Sequence, residues 1–145
     1  MNFWVSFADM ANPGANECAR LWVASGAVFA GLAVVLGAFG AHALRARLSE
    51  RALEIYQTGS HYQFIHALAL ILLGCWLASS SSQHVGAASL ATAAGWFFAA
   101  GIVVFSGSLY ALAITDIKIL GAITPLGGLS FIAGWACFAL TALKK

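Results

Sequence analysis

Four long apolar runs, separated by short stretches that hold nearly all the charge, leave this chain almost no way to fold in water. A helix that crosses a bilayer needs about 20 consecutive apolar residues. Runs of that order occupy positions 21–43, 61–78, 85–114 and 119–143, and no side chain ionises between Arg20 and His42. Only 8% of the 145 residues are charged, against about a quarter in a soluble domain. The polar surface that a water-facing fold requires is therefore missing. The expected fold class is an all-α membrane protein, an antiparallel four-helix transmembrane bundle. Residues 1–20 read as an amphiphilic N-terminal tail and residues 21–145 as one four-span domain.

The segments between the runs carry their own expectations. In the tail, Phe3, Trp4 and Phe7 suit the headgroup region, and Asn12-Pro13-Gly14 breaks any helix. The tail lacks the positive start of a signal peptide. The charge-rich stretch from Arg45 to Gln57 has Leu44, Leu48, Ala52, Ile55 and Tyr56 at helical spacing. That pattern predicts a short interfacial helix between the first two spans, apolar side down. Ser79–His84 reads as an exposed turn, and Lys144 and Lys145 close the chain at the water boundary. Arg45, Arg47, Arg51 and Lys118 share one membrane face, whereas Arg20, Lys144 and Lys145 share the other. The positive-inside rule thus favours cytoplasmic loops between spans 1 and 2 and between spans 3 and 4, in a bacterial-type inner (plasma) membrane.

Small residues recur at steps of three and four. Gly26, Ala30, Ala33, Gly37 and Ala41 form one ridge, and Ala91, Gly95 and Ala99 another. Such ridges let helices approach closely in lipid. Gly26, Ala30, Gly37, Gly95, Pro125 and Gly128 are the expected helix-packing positions. Pro125 removes a backbone donor, which predicts a kink, packed against protein, near the start of the fourth span.

Antiparallel connectivity brings polar residues from four segments to one membrane face. His42 ends the first run, His61, Tyr62, Gln63 and His66 begin the second, Ser106, Ser108 and Tyr110 end the third, and Thr124 begins the fourth. Buried polar groups in lipid must find partners, so these nine residues are the candidate polar cluster. They are either a functional site or a mutual packing network.

Individual chemistries find little support. No carboxylate lies within a run, so a metal cage or proton relay lacks its usual ligands, and no metal site is expected. His61 and His66 diverge on a helical wheel, so a two-histidine haem would need His42 and His66 from different spans. Ser106-Gly107-Ser108 has no carboxylate-oriented base beside it, and no catalytic residue is assigned. The three cysteines, Cys18, Cys75 and Cys137, are widely spaced and form neither a disulfide framework nor a zinc pattern. A net charge of +2 gives no footing for nucleic acid.

Four blocks carry a resemblance. They are Gly37-Ala38-Phe39-Gly40-Ala41-His42, Tyr62-Gln63-Phe64-Ile65-His66-Ala67-Leu68-Ala69-Leu70, Phe105-Ser106-Gly107-Ser108-Leu109-Tyr110, and Gly121-Ala122-Ile123-Thr124-Pro125-Leu126-Gly127-Gly128. In that order they resemble the domain of unknown function 423 family, whose members include bacterial YgdD-type and YwdK-type small membrane proteins and animal transmembrane protein 256. The resemblance runs from about Leu21 to the C-terminus. It implies a small multi-span membrane protein and brings no catalytic residue, cofactor or substrate. Three function classes stand. The first is a non-enzymatic accessory or assembly protein, embedded in the lipid bilayer and binding other membrane proteins or itself. The second is a small oligomeric carrier or channel component. The third is a lipid, quinone or haem binder, although no cofactor is required by the residues.

Overall fold

The computed structural model describes residues 13–79 and 85–143, with side chains placed for 17–79 and 87–143. Phe3, Trp4, Phe7, His84, Lys144 and Lys145 lie outside the described residues. Among the described residues five α-helices follow in order: α1 (Pro13–Phe39), α2 (Glu50–Ser79), α3 (Val85–Gly101), α4 (Gly107–Thr115) and α5 (Ile119–Leu143). A π-turn, Gly40–Leu44, extends α1, and a second, Ile102–Ser106, joins α3 to α4. No strand occurs among the described residues. Among the described residues, four stretches are long and apolar enough to cross a bilayer: Glu17–Leu44, Glu50–Ser79, Ala87–Thr115 and Ile119–Leu143. Pro13 opens α1, where its missing N–H costs nothing, so the first helix starts upstream of the apolar run.

The expected interfacial helix between spans 1 and 2 is absent as a separate element. Only residues 45–49 link the spans, and α2 runs unbroken from Glu50 through Thr58-Gly59-Ser60 to Ser79. Ser49 Oγ accepts the Ala52 N–H at 3.2 Å, an N-terminal cap that starts the helix. Thr58 satisfies its hydroxyl on the Glu54 carbonyl at 2.8 Å and so stays helical. Gly59 is buried because a Cβ there would press on Leu109, Tyr110 and the Ser106 carbonyl. The amphipathic pattern thus belongs to the first turns of a spanning helix. At 1.5 Å per residue, α2 is about 45 Å long, well beyond the roughly 30 Å hydrocarbon layer.

The spans pack mainly on their sequence neighbours. The α1–α2 pair is the most extensive, α3 and α4 pack on both α2 and α5, and α1 meets α3 only marginally. The core holds Trp22, Leu70, Leu73, Ala91, Ala94, Phe98, Ile102 and Phe131. Glycines set the closest approaches. A Cβ on Gly26 would lie 2.7 Å from the Ala67 carbonyl oxygen, and one on Gly74 would lie 2.7 Å from that of Ala19.

The π-turn in the third span is clamped from both sides. Gly107 N–H reaches back to the Ile102 carbonyl, five residues away, which widens the helix locally. Gly59 of α2 faces the Ser106 carbonyl, and a Cβ on Gly127 of α5 would collide with the Phe105 backbone. Asp116, the only non-glycine residue with positive φ among those described (54°), closes α4 and gives its N–H to Leu112 at 2.9 Å. A short polar side chain tolerates that conformation, so a tight return to α5 follows.

Candidate functional site

The polar residues fall into two separate groups and a few outliers. The first group is a ladder along the α1–α2 seam. Tyr56 Oη donates to the Leu36 carbonyl at 3.2 Å, Ser60 Oγ to that of Ala33 at 3.1 Å, and Gln63 Nε2 to that of Phe29 at 2.9 Å. The donors climb one face of α2 at helical spacing while the acceptors descend α1, as antiparallel helices require. Tyr110 of α4 completes the ladder, donating to Gln63 Oε1 at 2.9 Å with its ring 4.7 Å from that of Tyr56. Small residues of α1 make this possible: Gly40 packs beneath the Tyr56 ring and Gly37 beside Ser60 Oγ.

The second group is aromatic and lies between α2 and α5. His66 is buried. Its Nδ1 lies 2.8 Å from the Tyr62 carbonyl oxygen, and its Nε2 accepts the Trp135 Nε1–H at 3.2 Å. The neutral tautomer carrying the proton on Nδ1 satisfies both contacts. The imidazole stacks on Phe131 with ring centroids 3.4 Å apart, and Phe98 and Trp135 close around it. Sequence reading put His66 about a turn deeper than His61, and its partner is the Trp135 indole. Trp135 lies about 24 Å along α5 from its start, by the helical rise.

The outliers behave differently. Ser108 and Thr124 share a 2.8 Å hydroxyl contact between the third and fourth spans, and Thr124 also donates to the Leu120 carbonyl. This brace stands beside Pro125, which is itself exposed to the outside of the bundle rather than packed inward. Ser106 is buried in the π-turn with its hydroxyl unpaired. Trp22 is likewise buried with an unpaired indole N–H; its ring fills the space left by Gly95. Gly128 makes ordinary contact with the Phe105 ring, and Ala30 is half-buried in α1. His42 and His61 are exposed; neither has a hydrogen-bond partner among the described residues, and His42 does not meet His66.

The chemistry open to this arrangement is limited. Both ring nitrogens of His66 are engaged, so haem ligation there would break the Trp135 bond. No set of three or more His, Cys, Asp or Glu is placed to hold a metal among the described residues. The polar side chains that point inward are mostly satisfied by helix carbonyls or by each other, which is the pattern of a packing network. Sequence reasoning missed Tyr56, Ser60, Phe131 and Trp135. The first two continue the Gln63 face at steps of four and three, but they were assigned to a connector outside the span. Phe131 and Trp135 stand four apart, a spacing that puts both on one helix face.

Comparison with known proteins places this architecture. The family described as "Protein of unknown function (DUF423)" matches residues 36–128. The UPF0382 membrane protein YwdK of Bacillus subtilis is 47% identical over 125 residues, covering 86% of this chain and 98% of its own. UPF0382 membrane proteins of Staphylococcus haemolyticus and Staphylococcus aureus are each 42% identical over 125 residues, with 97% of the relative covered. No solved structure matches the chain. The matched region takes in the π-turn of α1, the polar ladder of α2 and the Ser108–Thr124 brace. The chain belongs to the DUF423 family of UPF0382 membrane proteins.

Proposed function

We propose that the protein is a non-enzymatic accessory subunit of the inner membrane that docks a helix of another membrane protein on the outer side of α1. One observation carries this reading: α1 has a second ridge of small residues that nothing among the described residues fills. The ridge Gly26, Ala30, Ala33, Gly37 is consumed by α2. Ala24, Ala27, Gly31 and Ala38 fall within about 60° of one another on the helical wheel, and all four are exposed. A Cβ on Gly31 meets nothing within 4 Å among the described residues, so their packing does not require the glycine. Glycine within a helix costs about 0.5–1 kcal/mol relative to alanine. Close approach by a partner helix offsets that cost.

Beside the ridge, Ala24, Ala27, Gly74, Cys75 and Ala78 line a groove of about 470 Å³ between α1 and α2, with Arg20 at one end. The self-satisfied interior supports the same reading over a carrier, which needs a polar path through the bundle. The cations at Arg45, Arg47, Arg51 and Lys118 favour cytoplasmic placement of the links at 45–49 and 116–118.

Purification in native lipid, followed by mass spectrometry of wild type and Gly31→Leu, tests the proposal. The wild type is expected to carry a stoichiometric membrane-protein partner that Gly31→Leu loses while it stays folded. A wild type without such a partner, or a partner retained equally by Gly31→Leu, contradicts it.

A further inference from the structure

The aromatic group has an open side. His61, Tyr62, Ile65, His66, Phe105 and Trp135, with Gly128, Phe131 and Ile132, line a groove of about 450 Å³ between α2 and α5. The volume lies in the roughly 300–1,000 Å³ range of small-molecule sites. The groove faces lipid, because Ile65, Ile132 and Trp135 are exposed on the bundle surface. It also continues toward water. His61 and Tyr62 line both this groove and a second hollow of about 500 Å³ formed with Glu54, Gln57 and Thr58. Its occupant must therefore be amphiphilic, with a polar end at His61 and Tyr62 and an apolar body against the aromatic rings.

Charge and shape narrow the class. The outer hollow has no Arg or Lys in its wall, and its one carboxylate, Glu54, is already paired with Arg51 at 3.3 Å. An anionic phosphate headgroup would meet no free cation there. The His61 imidazole and the Tyr62 hydroxyl have no hydrogen-bond partner among the described residues, so two groups able to donate stand at the boundary. The rings of Tyr62, His66 and Phe131 lie near-parallel, at 17° between Tyr62 and His66 and 8° between His66 and Phe131. Neutral, flat and acceptor-bearing describes a ring with carbonyl groups on an apolar tail. We propose that this groove binds the head ring of a quinone-type lipid, with its carbonyls at His61 and Tyr62. Binding alone is claimed, without electron transfer, and the site is independent of the α1 ridge.

Purified protein in neutral phospholipid vesicles, titrated with a ubiquinone bearing a ten-carbon tail, tests the inference through tryptophan emission, since Trp135 lines the groove. Saturable quenching is expected for wild type. Filling the groove with Ile132→Phe is expected to abolish the saturable component. The neighbouring Leu129→Phe, on an exposed position outside the groove wall, should leave it unchanged. Tyr62→Phe combined with His61→Ala is expected to weaken binding about tenfold, and Tyr62→Phe alone retains the ring contacts that the fold uses. Quenching that rises only linearly with quinone in the bilayer overturns the proposal. Saturable quenching indifferent to Ile132→Phe also overturns it, as does displacement of the quinone by an anionic phospholipid at equal mole fraction.

Discussion

The contact between α1 and α2 and the contact between α2 and α5 solve the same problem in opposite ways. Both must hold polar side chains within lipid, where an unpaired group is costly. At the first, small residues let the backbones approach, and Tyr56, Ser60 and Gln63 reach the carbonyls of Leu36, Ala33 and Phe29 directly. At the second, the helices meet through large rings, and the His66–Trp135 bond spans the gap. Close backbones put each donor of the ladder directly on a carbonyl of the facing helix. Bulky rings bridge a wider gap, and a groove opens beside them. The difference teaches that residue size at the interface decides whether a polar side chain reaches a backbone carbonyl or bonds to another side chain.

The strongest way to break the comparison is to spoil the close approach. Gly26→Leu places a side chain against the Ala67 carbonyl and Ile71, where neither backbone can yield. Its expected cost is about 3 kcal/mol, read as loss of folded protein in detergent unfolding; a shift indistinguishable from that of Gly31→Leu would show that the seam is not tight. Gln63→Leu comes next. It removes two hydrogen bonds and leaves the Tyr110 hydroxyl without its acceptor, for an expected loss of about 2 kcal/mol. His66→Leu should cost less, about 1 kcal/mol, because Trp135 lies at the open groove and its N–H can find another partner. A larger loss for His66→Leu than for Gln63→Leu would reverse the roles assigned to the two contacts. Smallest of all, Tyr62→Phe is expected to change stability by less than about 0.5 kcal/mol, since its hydroxyl bonds nothing among the described residues.

Much of the architecture was legible in the sequence for a simple reason: bilayer thickness converts apolar length directly into spans. The spans at 61–78 and 119–143 fall inside or coincide with α2 and α5. The interfacial helix was misread because amphipathicity over 45–57 looks the same whether a helix lies flat or projects from the membrane as the end of a longer one. Nothing local separates these cases when Thr58 and Gly59 can both be helical. The candidate residues were grouped at one membrane face by connectivity, and connectivity says nothing of azimuth. Only packing shows that Gln63 turns toward α1 while His66, three residues on, turns toward α5. The π-turn at Ile102–Ser106 had no signal in composition, and the glycines that pack against its backbone, Gly59 and Gly127, stand on neighbouring helices.

The ridge left open on α1 follows from the same asymmetry. Because α1 packs chiefly on α2, its glycines with described surroundings divide into Gly26 and Gly37, which the seam uses, and Gly31, which it does not. The accessory reading rests on that division and on an interior whose polar groups are mostly engaged.

That interior engagement is tested most directly by a double-mutant cycle between Gln63→Leu and Tyr110→Phe, measured by reversible unfolding in bicelles. The account predicts a coupling of about 1 kcal/mol, because the 2.9 Å bond between the two side chains is lost in either single variant. Additive effects with no coupling would mean that the ladder is not formed in the membrane, and that its polar residues are free for a site.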